Sequence, residues 1–465
     1  MRLPHLELLY SDIGVLSRKS IIESSSPWIV SLNLSSGTTL FQFILFLFSL
    51  YFAISLIIGY KTFLSTLASW ILILSWHNRN PFLFHSGDQL LQLLLFWSLF
   101  IPLGKFFSID SIRQGKSSVE SYSYFSVGSI AIICQIFFVY FFTSLHKIGP
   151  EWVERGSAVY YALNLDTFVN PLGKWLLNFP LLLHFSSYLV FAIELFIPFL
   201  IFIPFFNDRI RLFVIFTFIS FHFMLGIGLS IGLFSIICST AWLLLLPKST
   251  WEYLGNLRNK HLNGVTSIHL NKIKNYINKF IFQTFNFLPL LRKVAASMLC
   301  GVLLAFVLMI NLNDINSSKF SISPSIGWIK SFLGLKQEWK MFSPYLIKED
   351  FWAIMIGETH NGEFMDLEQE GIIPLKVQKN RYLLTKPKNL CKVCKEQYLG
   401  SYSNYICIMG DRPLINLAEH SCLEWNSNKN PKIKSVQIFC LKEKTLPNNK
   451  TAPIEKKLLL THKCK

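Results

Sequence analysis

Charged side chains are scarce in this chain. Asp, Glu, Lys and Arg make up 15% of its 465 residues, where a soluble domain carries about 25%, and that shortage excludes an ordinary soluble globular protein. In their place stand 43 Phe and 12 Trp, with a mean hydropathy of +0.41. A removable signal peptide is not visible either, as residues 1–38 hold no apolar core of useful length. Insertion is therefore expected to rely on the first long apolar run. No second CxxC and no spaced His pair follows Cys391-Lys-Val-Cys394, and no His follows that motif directly, so covalent haem is unsupported. Neither an internal repeat nor a matched pair of Gly/Pro-broken apolar segments is visible, which disfavours a transporter.

What is abundant is apolar sequence in runs long enough to cross a bilayer, which takes roughly 20 residues as a helix. Such runs occupy 39–60, 90–104, 125–145, 181–206 and 295–311, with a shorter one at 63–76. Residues 212–247 have room for two spans, turning at Gly226-Ile227-Gly228. These runs predict an α-helical polytopic membrane protein of about eight transmembrane helices. The chain divides into an N-terminal extracytoplasmic segment (1–38), a transmembrane domain (39–311) and a C-terminal extracytoplasmic domain (312–465).

Of the net charge of +17, +7 falls in one loop. Residues 247–294 hold Lys248, Arg258, Lys260, Lys272, Lys274, Lys279, Arg292 and Lys293 against a single acid, Glu252. The positive-inside rule puts such a loop in the cytoplasm. Counting spans outward from it leaves 77–89, 146–180 and the whole of 312–465 on the opposite side. Within the loop, Leu270, Ile273 and Ile277 share one helical face among lysines, which suits a helix on an anionic membrane surface or, equally, a solvated linker. A nucleic-acid partner is not expected, since no folded basic domain accompanies the run.

Six of the nine cysteines (Cys391, Cys394, Cys407, Cys422, Cys440 and Cys464) fall in the tail. An extracytoplasmic tail is in an oxidising compartment, so they read as disulfides, with the pairing open; a zinc site beginning at Cys391 is the alternative. Cys134, Cys238 and Cys300 sit singly in apolar runs, as small buried hydrophobes do. Alternating stretches such as FWAIMIGE (351–358) and SVQIFCL (435–441) make the tail a small α+β or mostly β cap.

Three polar clusters reach the outer side: His77, Arg79, His85 and Asp88; then Lys147, Glu151 and Trp152; then His222, one turn before the glycines. Glu194 lies inside a span. Ionisable groups at such depth are costly and face a cavity or a partner. Each also has a plainer reading. Lys147 could snorkel to the headgroups, Asp88 could cap a helix starting at Gln89, and Trp152 could be an interfacial aromatic. Convergence of three distant clusters on one face favours a cavity.

HNRNP-x3-HSGDQLLQLLLFWSLFIPLGKFFSID (77–110), HKIGPEWVERGSAVYYALNLD-x4-NPLGKWLL (146–177) and FHFMLGIGLSIGLF (221–234) resemble the horizontally transferred transmembrane (HTTM) domain shared by bacterial proteins and the vitamin K-dependent γ-carboxylase. SDIGVLSR (11–18) and QEWKMFSP (337–344) are similar to the flanks of bacterial members, which implies a bacterial cytoplasmic-membrane location. The family's carboxylase has a catalytic lysine five positions before a Trp-Val-Glu segment, matching Lys147 before Trp152-Val153-Glu154. Its His before a Gly-x-Phe turn matches His222, and His85 is the nearest His to its third polar element.

The resemblance implies a base, Lys147, whose charged form is disfavoured in a water-poor site. There it would deprotonate vitamin K hydroquinone or another quinone, and His222 would line the cavity. It also implies a Cys422–Cys464 disulfide, from SCLEWN and the terminal THKC. Metal is not implied. The partners expected are the bilayer, a quinone or lipid ligand, and a protein at the outer cap. The alternative function is a non-catalytic membrane protein whose cap binds that protein.

Overall fold

A computed structural model of the chain describes residues 3–105, 108–113, 125–253, 287–367, 371–373, 406–407, 410–429, 431–447 and 450–464. Helices form in every expected apolar run: α1 (Thr39–Ile57), α2 (Thr62–Arg79), α3 (Ser86–Ser98), α4 (Val127–His146), α5 (Pro180–Phe196), α6 (Asn207–Gly228), α7 (Phe234–Leu243) and α8 (Phe287–Ile315). Among the described residues, five helical segments are long and apolar enough to cross a membrane: α1, α4, α5 with its 3-10 extension to Phe202, α6, and Lys293–Ile315 of α8. Helices α2, α3 and α7 are not among the five. Helix α3 has 13 residues, about 20 Å at 1.5 Å per residue. It stops four residues before Pro102, whose missing N–H prevents continuation. Helix α7 has only 10 residues.

The burial pattern is that of a membrane bundle. Helix α1 buries Gln42 and Ser55 while Phe43, Leu47, Phe48, Tyr51 and Ile54 lie exposed. Helix α2 buries Thr62, Ser65, Thr66 and Ser69, small residues that allow close packing without a hydrophobic driving force. Helix α4 is enclosed, burying Ala131, Ile136, Val139, Tyr140 and Phe142 against α3, α5 and α8.

Two sequence expectations need correction. Helix α6 runs through Gly226 to Gly228, and the chain turns at 229–233, with Gly232 at φ +60°. The turn is held by a bridge between Val169 and Leu229 and a hydrogen bond from the Asn170 amide to the Gly228 carbonyl (3.0 Å). Asp88 does not cap a helix beginning at Gln89. Helix α3 starts at Ser86 with His85 as its N-cap, and Asp88, in its first turn, accepts the His85 amide at 3.4 Å.

The tail is an α+β cap. An antiparallel sheet runs β3–β2–β1–β4, with β5 and β6 also pairing to β4; the strands are β1 (Glu349–Thr359), β2 (Phe364–Asp366), β3 (Gly371–Ile373), β4 (Ile433–Leu446), β5 (Lys450–Thr451) and β6 (Glu455–Lys463). After the short helix α9 (Pro324–Phe332), helix α10 (Asp411–Asn428) lays Leu414, Leu417, Ala418 and Trp425 on the sheet's Val436 and Ile438. Disulfides join Cys407 to Cys440 and Cys422 to Cys464. The single cysteines Cys134, Cys238 and Cys300 are thiols. The Cys391–Cys394 motif and the amphipathic stretch 268–282 lie outside the described residues.

Candidate functional site

Lys147 follows the last residue of α4, and its amide still bonds back to the Ser144 carbonyl at 3.0 Å. The side chain turns inward. Lys147 is 3% exposed and donates through Nζ to Oε2 of Glu194, itself 5% exposed on α5. The Trp152 ring lies 4.3 Å from Nζ, a cation–π contact, and its own Nε1 donates to the Phe342 carbonyl at 2.9 Å. Lys147 does not snorkel; it is held in a pair sealed by an aromatic face.

Glu151 serves a different partner. It is buried where the 146–180 loop meets the cap and accepts from Lys348 at 2.5 Å, with Arg155 at 3.5 Å. Burial acts to raise the Glu151 pKa, but hydrogen bonding and the charges of Lys348 and Arg155 hold it below the usual carboxylate range.

His222, 1% exposed on α6, bonds through Nε2 to the Tyr140 hydroxyl at 2.7 Å. That hydroxyl also accepts from Trp242 Nε1 at 2.8 Å. Cys238, buried on α7, is a further hydrogen-bond neighbour of the same hydroxyl. Nδ1 is buried with no partner among the described residues. Lys147 and His222 share no hydrogen bond. Tyr140 and Lys147 stand two turns apart on α4, about 10 Å along the axis.

The first polar cluster is distributed differently from the expectation. His77 Nδ1 bonds to Gln92 Oε1 at 2.6 Å, its Nε2 is 3.9 Å from Asp88, and its ring packs on Phe84. Gln92 donates in turn to the Gly334 carbonyl at 2.6 Å. Gly334 has φ +63°, and a Cβ there would meet Gln92 Nε2 at 2.2 Å. His77 and His85 line a cavity of about 570 Å³ between α2, α3 and the linker after α9. Arg79 is not a cavity group. It is 0% exposed and donates to the carbonyls of Leu16 (2.6 Å) and Ser11 (2.9 Å), with Asp12 at 3.8 Å. Folding SDIGVLSR around the guanidinium satisfies backbone groups that a bundle edge would leave unpaired.

Several residues escaped sequence reasoning. Asp314 accepts from His146 (2.9 Å) and Lys340 (2.6 Å). Gln337 sits in the bundle core, where its Oε1 accepts from Gln135 (3.0 Å), Trp339 (3.1 Å) and Asn311 (3.2 Å). The quoted QEWKMFSP segment is thus a polar plug, and its Gln-x-Trp spacing was the available signal. Asp166, Asp350 and Glu443 bring carboxylate oxygens within 4.8 Å of one another. Lys174 already pairs with Asp166 at 2.7 Å, and Asp350 accepts from the amides of Asp166 and Thr167.

No curated protein and no solved structure matches the chain. The family model of the HTTM domain matches residues 27–251, an interval that contains His77, His85, Lys147, Glu194 and His222. Residues 27–251 of this membrane protein are an HTTM domain.

Proposed function

We propose that the HTTM domain is a carboxylase-like membrane enzyme that binds a quinone beside Lys147 and His222. The observation that carries this reading is a buried amine–carboxylate pair at the end of α4 and, two turns back along the same helix, a Tyr140-bonded buried imidazole whose Nδ1 has no partner among the described residues. Such a ring nitrogen fits a hydrogen-bonding oxygen, as a quinone carbonyl or a quinol hydroxyl presents. A bound hydroquinone supplies an acidic O–H and redox chemistry. Lys147 and Glu194 can hold their shared proton on either partner: with the proton on Oε2, Nζ is an amine able to accept another, in a dry site where the charged pair is not strongly favoured. Trp152 excludes water from Nζ, and Tyr140 holds the His222 ring through Nε2.

In this reading about eight segments cross the bilayer, and loop 247–294 is cytoplasmic. The 146–180 loop and the disulfide-bonded cap face outward, in a bacterial cytoplasmic membrane. The lysine-rich loop supports that orientation, and so do the two disulfides, which persist in oxidising compartments. A second reading, an outer cap that binds a protein partner, draws support from β6. This strand pairs only with β4 among the described residues and carries exposed Lys456, Lys457 and Leu458.

The test is quinone titration of the purified chain in nanodiscs, read by quenching of tryptophan fluorescence. Saturable quenching is expected for wild type and Lys174→Ala, and its loss in Lys147→Met/Glu194→Gln, which leaves no unpaired buried charge. Non-saturable quenching, or equal quenching by the double variant, overturns the quinone site.

A further inference from the structure

The cavity beside His77 has no part in the reading of Lys147. The roughly 570 Å³ pocket that His77 and His85 line is also lined by Gln89 and by Lys330 of α9. Two features make it a built site. Gln89 is 6% exposed, and its Nε2 has no hydrogen-bond partner among the described residues. A buried amide donor without a partner costs about 1–3 kcal/mol, so a ligand acceptor is what the site lacks. The cavity's charges are also unbalanced. Lys336 pairs with Glu338 (3.3 Å) and Lys340 with Asp314 (2.6 Å), while Lys330 has no acid among the described residues. The pocket therefore offers one ammonium and one amide donor to an anion.

Its border is aromatic. Trp328 and Phe332, one turn apart on α9, are exposed, and Trp28 packs on Trp328 with ring centroids 5.2 Å apart. Ile29 and Ser26, beside Trp28, line the cavity itself. Exposed tryptophans beside a basic group mark the headgroup level of a bilayer. We propose that this cavity holds the phosphate headgroup of an anionic phospholipid through Lys330 and Gln89, with the acyl chains against Trp28, Trp328 and Phe332.

The full chain, purified in a maltoside detergent, is titrated with dioctanoylphosphatidylglycerol, dioctanoylphosphatidylcholine and inorganic phosphate, and affinities are read by thermophoresis. Phosphatidylglycerol should bind about tenfold tighter than phosphatidylcholine, since the zwitterion carries a cation the pocket does not match. Lys330→Gln should weaken phosphatidylglycerol about fivefold and Gln89→Leu about tenfold, while the exposed Lys319→Gln changes nothing. Equal affinity for the two lipids overturns the proposal, as does an unaffected Lys330→Gln. Inorganic phosphate binding as tightly as phosphatidylglycerol also overturns it, because that outcome marks a free-anion site. If Gln89→Leu does not fold, Lys330→Gln decides.

Discussion

Removing the Lys147 amine alone should damage the fold more than removing both members of its pair. Lys147→Met keeps the length of the side chain but leaves Glu194, 5% exposed, as an uncompensated carboxylate between α4 and α5. Breaking a buried pair from one side costs about 3–5 kcal/mol, whereas replacing both charges by apolar groups of similar volume is often neutral. Lys147→Met also forfeits the contact with the Trp152 face, worth about 0.5–2 kcal/mol. A double-mutant cycle of Lys147→Met and Glu194→Leu, read by thermal unfolding in detergent, should thus show the double variant more stable than Lys147→Met. A coupling energy of about 2 kcal/mol or more is expected, within the range for contacting groups. Single variants that each lose under about 0.5 kcal/mol, as surface substitutions do, and that add without coupling would show Lys147 to be solvated, and the inward geometry would be wrong.

Glu151 is held below its usual pKa, so its stabilising contribution is present above its unfolded value of about 4.3 and is lost as pH falls through the lower folded value. Acid unfolding followed by tryptophan fluorescence should be less steep below about pH 4.3 in Glu151→Gln than in wild type; identical acid limbs would refute the Lys348 contact. Arg79→Met should expose the N-terminal segment, because the carbonyls of Ser11 and Leu16 lose their donors; limited proteolysis before residue 30 no faster than in wild type would count against that anchor. Cys422→Ser should cost about 2–4 kcal/mol in cap stability, and peptide mapping that finds Cys422 and Cys464 as thiols would remove the bridge. Cysteine-accessibility labelling should find position 270 cytoplasmic and position 360 outside; both on one side would refute the orientation.

Helices were legible because lipid-facing segments must be continuously apolar and must satisfy their backbone internally. Thr39–Ile57 and Val127–His146 therefore stand out from local composition. Which of those helices are long enough to cross alone was not legible for α3 and α7. Their ends depend on Pro102 and on a turn tied to residues 169–170, far away in sequence. The same limit governed the polar residues. Sequence placed Lys147, Glu194, His222 and Arg79 at depth, where a charge needs a partner, but side-chain type does not name the partner. Only the packing of α4 against α5 turned Lys147 to Glu194. Only the packing of α6 against α4 bonded His222 to Tyr140, and only the return of residues 11–18 spent Arg79 on backbone carbonyls. Composition settles where a charge is costly, because cost depends on the surroundings' polarity. What offsets it is a contact made across tens or hundreds of residues, which only the tertiary arrangement decides.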